Sequence, residues 1–178
     1  MIDFNQRKLE KIFLPSLLFL VLAIIALSSL FITNAATTGS VAATVSAQNL
    51  SLSVADGTVT YGAIGVGSSK STVLSELNDS QDAVNIGNTN STFNIVGQTS
   101  PNWGIGPSAG NEIYAHKFCK TNCDSSPTWT AMSTNYATLT TNIAVGGTQN
   151  FDLIIFPPTV TANYTSQSVN VTVQVTAP

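Results

Sequence analysis

Residues 168–176 read SVNVTVQVT. Val169, Val171, Val173 and Val175 alternate with Asn170, Thr172, Gln174 and Thr176, so a strand here has one apolar and one polar face. The neighbouring signals agree with it. Residues 151–156 (FDLIIF) are almost continuously apolar, which predicts a central strand. Gly146-Gly147 turns into it and Pro157-Pro158 stops it. Residues 112–118 set Tyr114, His116 and Phe118 against Ile113 and Ala115, and residues 128–132 carry Trp129. Residues 82–86 and 92–98 flank the polar turn GNTN, with Phe93 and Ile95 inward. Trp103–Ile105 reads as a short strand between Pro101 and Pro107, and residues 71–77 fit either a strand or a helical turn. Residues 41–54 (VAATVSAQNLSLSV) alternate too, but Leu50, Leu52 and Val54 have the opposite parity to Val41, Ala43 and Val45. A bend near Gln48-Asn49 follows from that. Asp56-Gly57 is a tight-turn signal, after which Thr58–Tyr61 is predicted to return with Val59 and Tyr61 inward. The glycine-rich residues 62–69 read as a loop. Eight or nine short strands with almost no helix predict an all-β, antiparallel β-sandwich over residues 41–178.

The other end of the 178-residue chain is different in kind. Residues 12–32 (IFLPSLLFLVLAIIALSSLFI) are 21 residues without a charge. About 20 helical residues cross the hydrocarbon core of a bilayer. Arg7, Lys8 and Lys11 lie in the basic segment 1–11, and no further Lys or Arg occurs before Lys70. The charge asymmetry keeps the N-terminus in the cytoplasm and sends the remainder out. The segment reads as a secretory signal peptide or as a single transmembrane anchor. For the first, Thr33-Asn34-Ala35 places small residues for cleavage between Ala35 and Ala36. For the second, the apolar run is longer than the usual 7–15 residues. Residues 33–40 then form the cleavage region or linker. Export is expected either way, so the location is extracytoplasmic: secreted, or membrane-anchored at the cell surface.

From Ala36 onward, three lysines and seven acids leave a net charge of −4. That balance, without a basic cluster, excludes a nucleic-acid partner, which needs cations to displace phosphate counterions. Ser, Thr and Asn supply 53 of these 143 residues, so the surface is polar but uncharged.

Two stretches carry a family resemblance. Ala83-Val84-Asn85-Ile86-Gly87-Asn88 is similar to a V-x-N-x-G-N strand and turn, and residues 146–153 (GGTQNFDL) with Pro157 beyond are similar to a G-x-x-x-x-F-x-L…P strand. Both are found in the Ig-like sandwich modules of bacterial and archaeal cell-surface proteins. The resemblance covers about half of residues 41–176. It implies a non-catalytic spacer, adhesin part or envelope component, and it transfers no binding residues.

The residues that carry chemistry elsewhere have plainer readings here. Cys119 and Cys123, the only cysteines, are spaced for a disulfide in an exported chain. Closing a loop this short contributes about 2 kcal/mol by the chain-entropy estimate. Redox activity would instead call for C-x-x-C at a helix start. His116, the sole histidine, is expected on a polar strand face; no G-x-S-x-G elbow accompanies it. Asp79, Asp82 and Asp152 are the carboxylates to consider for glycoside hydrolysis, but most acids sit in turn-like contexts. Residues 78–82 (NDSQD) offer oxygen ligands for Ca2+ without the glycine-punctuated spacing of a calcium loop, so a solvated turn is the reading preferred and no metal or cofactor is expected. Trp103, Trp129, Tyr114 and Tyr136 are expected to fill the core; exposed instead, Trp103 and Trp129 would be a stacking platform for polysaccharide. The expectation is therefore a non-enzymatic structural or adhesive protein of the cell envelope. Its partners are the membrane, further copies of itself or other envelope proteins. The alternative is a carbohydrate-binding module.

Overall fold

A computed structural model describes residues 17–24 and 39–178. Residues 17–24 are helical, and every large apolar side chain on them is 46–78% exposed. Among the described residues, no helix is long and apolar enough to cross a membrane. The rest of the predicted apolar segment 12–32 lies outside the described residues, as do Ala35 and Ala36. The chain divides into two compact units, Met1–Val45 and Ser46–Pro178.

The second unit is mostly β. Its strands are β1 (Leu52–Ala55), β2 (Lys70–Ser71), β3 (Gln81–Asn85), β4 (Ser91–Gly97), β5 (Gly104–Ile105), β6 (Ile113–Cys119), β7 (Thr130–Ala131), β8 (Ala137–Ile143), β9 (Thr148–Phe156) and β10 (Val171–Thr176). They form two sheets in a sandwich-like arrangement. The larger runs β1-β3-β9-β6-β5, with β2 also on β9 and β7 also on β6; the smaller runs β10-β4-β8. Pairing is antiparallel except between β5 and β6, which are parallel, so the all-antiparallel expectation is corrected there.

The main core lies between the sheets. Phe93 and Ile95 of β4 and Leu139 of β8 meet Ala83 of β3, Phe118 of β6 and Phe151 and Leu153 of β9. Val171, Val173 and Val175 of β10 lie opposite Gly97, Ile95 and Phe93, so the alternation of SVNVTVQVT does aim its valines inward. The run FDLIIF is explained by burial on both faces. Phe151 and Leu153 enter the main core, while Asp152, 1% exposed, belongs to the other face. Loops cover that outer face. Val73, Cys119, Cys123 and Trp129 make a second apolar cluster on it. The sulfurs of Cys119 and Cys123 are bonded, with Cα atoms 5.7 Å apart.

Several elements differ from expectation. Only Leu52–Ala55 of residues 41–54 is a regular strand, and it pairs with β3 rather than with Thr58–Tyr61. Asp56 and Gly57 do turn, both at positive φ, but Thr58–Tyr61 forms no ladder; Val59 and Tyr61 pack on the core as an irregular strap. Residues 71–77 resolve into the end of β2 and a run of turns, and the expected Trp103 and Trp129 strands shrink to Gly104–Ile105 and Thr130–Ala131. β8 carries no expectation at all from the sequence. Its only large apolar residues are Leu139 and Ile143, and a bulge against β4 breaks its alternation.

The V-x-N-x-G-N stretch has a physical reason. Asn85 is fully buried, and its Nδ2 donates to the carbonyls of Thr89 (2.8 Å) and Ile143 (3.0 Å) while its Oδ1 accepts from Gly87 N–H (3.0 Å). Asn88 Nδ2 donates to Ala47 O, and its Oδ1 accepts from Asn49 N–H. Gly87 lets the two segments approach. A Cβ there would stand 2.3 Å from the Asn49 carbonyl oxygen, which is backbone and has no flexible side chain to yield. The Gly87→Ala variant is therefore expected to peel residues 47–51 off the turn, at a cost of about 2 kcal/mol. Limited proteolysis should show new cleavage within residues 46–51, and an unchanged pattern would contradict the account.

Candidate functional site

All seven acids between Ala36 and Pro178 accept hydrogen bonds from this chain. Asp152 Oδ1 accepts from Thr72 Oγ1 (2.7 Å) and Ser80 Oγ (2.6 Å), fixing the 71–80 loop onto β9. Asp124 accepts from Leu74 N–H (2.7 Å), which joins that loop to the disulfide loop. Glu76 accepts from Ser71 N–H, Asp82 from Asn150 Nδ2, Asp56 from Thr58 Oγ1 and Asp79 from Gln81 Nε2. Glu112, at positive φ, accepts from Thr161 Oγ1 and Ala162 N–H, and Trp103 Nε1 in turn donates to Thr161 Oγ1. In a domain with three lysines, carboxylates serve as acceptors that organise loops. Burial and the Asp56 carboxylate push Asp79 above its ordinary value, against the hydrogen bond from Gln81.

Asp79, Asp82 and Asp152 are thus distributed among separate loop ties. In the 78–82 turn, Ser80 and Gln81 already direct their side chains to Asp152 and Asp79. Among the described residues, no group of three or more His, Cys, Asp or Glu side chains gathers where it could hold a metal ion. A polar depression of about 360 Å3 beside the disulfide is lined by Lys120, Asn122, Asp124, Gln149 and Asp152, among others.

His116 is not on a polar face. It is 2% exposed, because Tyr114, His116 and Phe118 share the parity of the main core. Its Nε2 is 3.0 Å from the Tyr61 hydroxyl, and its Nδ1 is buried without a partner. The Tyr61 and His116 rings meet edge to face with centroids 5.8 Å apart, and the Tyr114 ring tilts against the histidine at 6.3 Å. Burial lowers the His116 pKa to about 4. Burial, then the nearby Asp79 and Asp152 carboxylates, push the Tyr61 hydroxyl far up; burial alone raises Tyr114 to about 12. This neutral cluster holds the 58–61 strap to β6. The sequence signal for it was the shared parity with Tyr114 and Phe118, which residue type outweighed.

The aromatics divide. Tyr114 is fully buried, Trp103 and Trp129 are half-buried and Tyr136 is 50% exposed, so the expected all-core placement holds for Tyr114 only. Trp103 is tied to Thr161 and Trp129 packs on the disulfide cluster, so each is engaged by its own loop. The exposed apolar feature lies elsewhere. Val41 is 93% and Val45 is 96% exposed, in a stretch outside every named strand. No family model, curated protein or solved structure matches the chain.

Proposed function

We propose that this protein is a non-catalytic, extracytoplasmic Ig-like β-sandwich with a structural or adhesive role at the cell envelope. Residues 12–32 carry it across the membrane or hold it there. It works by pairing sheet edges between copies rather than by chemistry on a substrate. One observation carries this reading: the exposure of Val41 and Val45 in the strand-like sequence VAATV. Strand-forming sequence without a partner is a template for pairing with another chain. The exposed apolar residues of helix 17–24 support the membrane association.

The test uses the full chain in detergent micelles. Val41→Asp with Val45→Asp changes two side chains that touch almost nothing, so folding is expected to be unaffected. Self-association, followed by analytical ultracentrifugation across concentrations, should weaken at least tenfold. Association unchanged by these two substitutions would overturn the reading, because the remaining apolar segment would then account for it alone.

A further inference from the structure

We infer that the acceptor for residues 41–45 is the outer edge of β10 in a second copy of this chain; the inference rests on the proposed self-assembly. Among the described residues, β10 has β4 on one side and no strand on the other. Its backbone N–H and C=O groups on that side form a six-residue unpaired row. The ladder to β4 is in register from Val171 to Thr176 without a bulge, so the edge is straight. Its inward side chains Val171, Val173 and Val175 are only half-buried, although they pack against the main core. An added strand would complete their burial.

The other edges fit less well. β8, at the far side of the same sheet, shifts register twice against β4 and exposes Thr138, Thr141 and Asn142, the last at positive φ. β1 offers four residues and ends in the left-handed Asp56-Gly57 turn. β5 and β7 have two residues each.

The donor matches β10 in length and shape. VAATV is five residues whose alternation would put Val41, Ala43 and Val45 on one face of a strand. Small and β-branched side chains suit the shallow rim left by three valines. In this chain Val41 and Val45 stay 93% and 96% exposed, which leaves the donor for a second copy. Donor and acceptor are different surfaces, so the contact is heterologous; repeated from copy to copy without ring closure, it gives an open chain of subunits.

Disulfide trapping tests this on the full chain in detergent, where the two native cysteines already pair with each other. A Thr44→Cys chain is mixed with a longer-tagged Thr172→Cys or Gln174→Cys chain, positions facing away from the core, and oxidised gently. Two acceptor positions accommodate a two-residue difference in register. The mixed dimer of unequal chains is expected at least tenfold above that formed with Thr138→Cys on β8. Equal yields, a predominant β8 product, or a monomeric internal link in the Thr44→Cys/Gln174→Cys double variant would each overturn the assignment. Failed trapping with association still sensitive to Val41→Asp and Val45→Asp would remove β10 as acceptor and leave self-assembly standing. Insensitivity to those substitutions removes both.

Discussion

Replacing Asn85 with alanine is expected to lower the stability of the sandwich by about 3 kcal/mol, among the largest effects of any single polar side chain in it. Asn85 is fully buried and joins two turns distant in sequence. One side-chain amide donates to Thr89 O in its own turn and to Ile143 O at the end of β8, and its oxygen holds Gly87 N–H. Its backbone continues the connection, with N–H to Gly147 O and carbonyl from Gly146 N–H. Each net hydrogen bond is worth about 1 kcal/mol, and a buried group left unpaired costs about 1–3 kcal/mol more. Alanine removes the side-chain partner of the Ile143 carbonyl and of Gly87 N–H at once, and leaves Thr89 O with only the longer bond from Ser91 Oγ. Some will reach water, which keeps the estimate near the lower end of that sum. The midpoint of urea unfolding should fall with an unchanged denaturant slope, and Tm should drop by about 10 °C. Asn85→Asp should be no milder, because a carboxylate would replace the donor facing the Thr89 and Ile143 carbonyls. A loss below about 1 kcal/mol for alanine would mean that water already serves these groups in the native protein.

The role of Asn85 shows how far the sequence can be read. The turn GNTN after it is legible from composition, and so is Gly146-Gly147. That the two turns are joined through one amide is a long-range fact that no local pattern carries. β9 and β10 were legible because both faces of β9 and one face of β10 are buried, which leaves a plain apolar record. β8 was not, because its bulge interrupts the period on which the reading depends. Residues 41–54 show a third case. Alternation reports a residue's preference for a pleated surface, but it says nothing about which chain supplies the neighbour. Leu52–Ala55 finds β3 within this chain, whereas VAATV, with the same kind of pattern, finds nothing and stays exposed. Most of the seven acids were expected in turns, but Asp82 and Asp152 lie within β3 and β9, and an acid's partner lies up to 80 residues away, as in Thr72 with Asp152.

Acid is expected to destabilise the protein through His116, with the loss concentrated between pH 6.5 and 4. His116 sits neutral between the Tyr61 hydroxyl and the Tyr114 ring, and burial holds its pKa near 4 against 6.5 in the unfolded chain. In that window the unfolded state binds the proton and the folded state does not. Stability is therefore complete above pH 6.5, declines as the pH falls, and levels off below 4. Each pKa unit is worth about 1.4 kcal/mol, which makes the whole effect about 3 kcal/mol, most of it lost by pH 4.5. Carboxylates add their own acid dependence, so the comparison is with His116→Gln. Glutamine does not titrate, and its amide can still reach the Tyr61 hydroxyl to keep the strap in place. Urea unfolding at pH 7.5 and 4.5 should show the unaltered protein losing about 2–3 kcal/mol more than the glutamine variant. The variant should be less stable at pH 7.5 if the imidazole packs better between its two tyrosines, and the two proteins should converge or cross on acidification. Parallel losses in both would show that the strap opens to water before the proton arrives, and that the Tyr61–His116 contact does not set the acid limit of the fold.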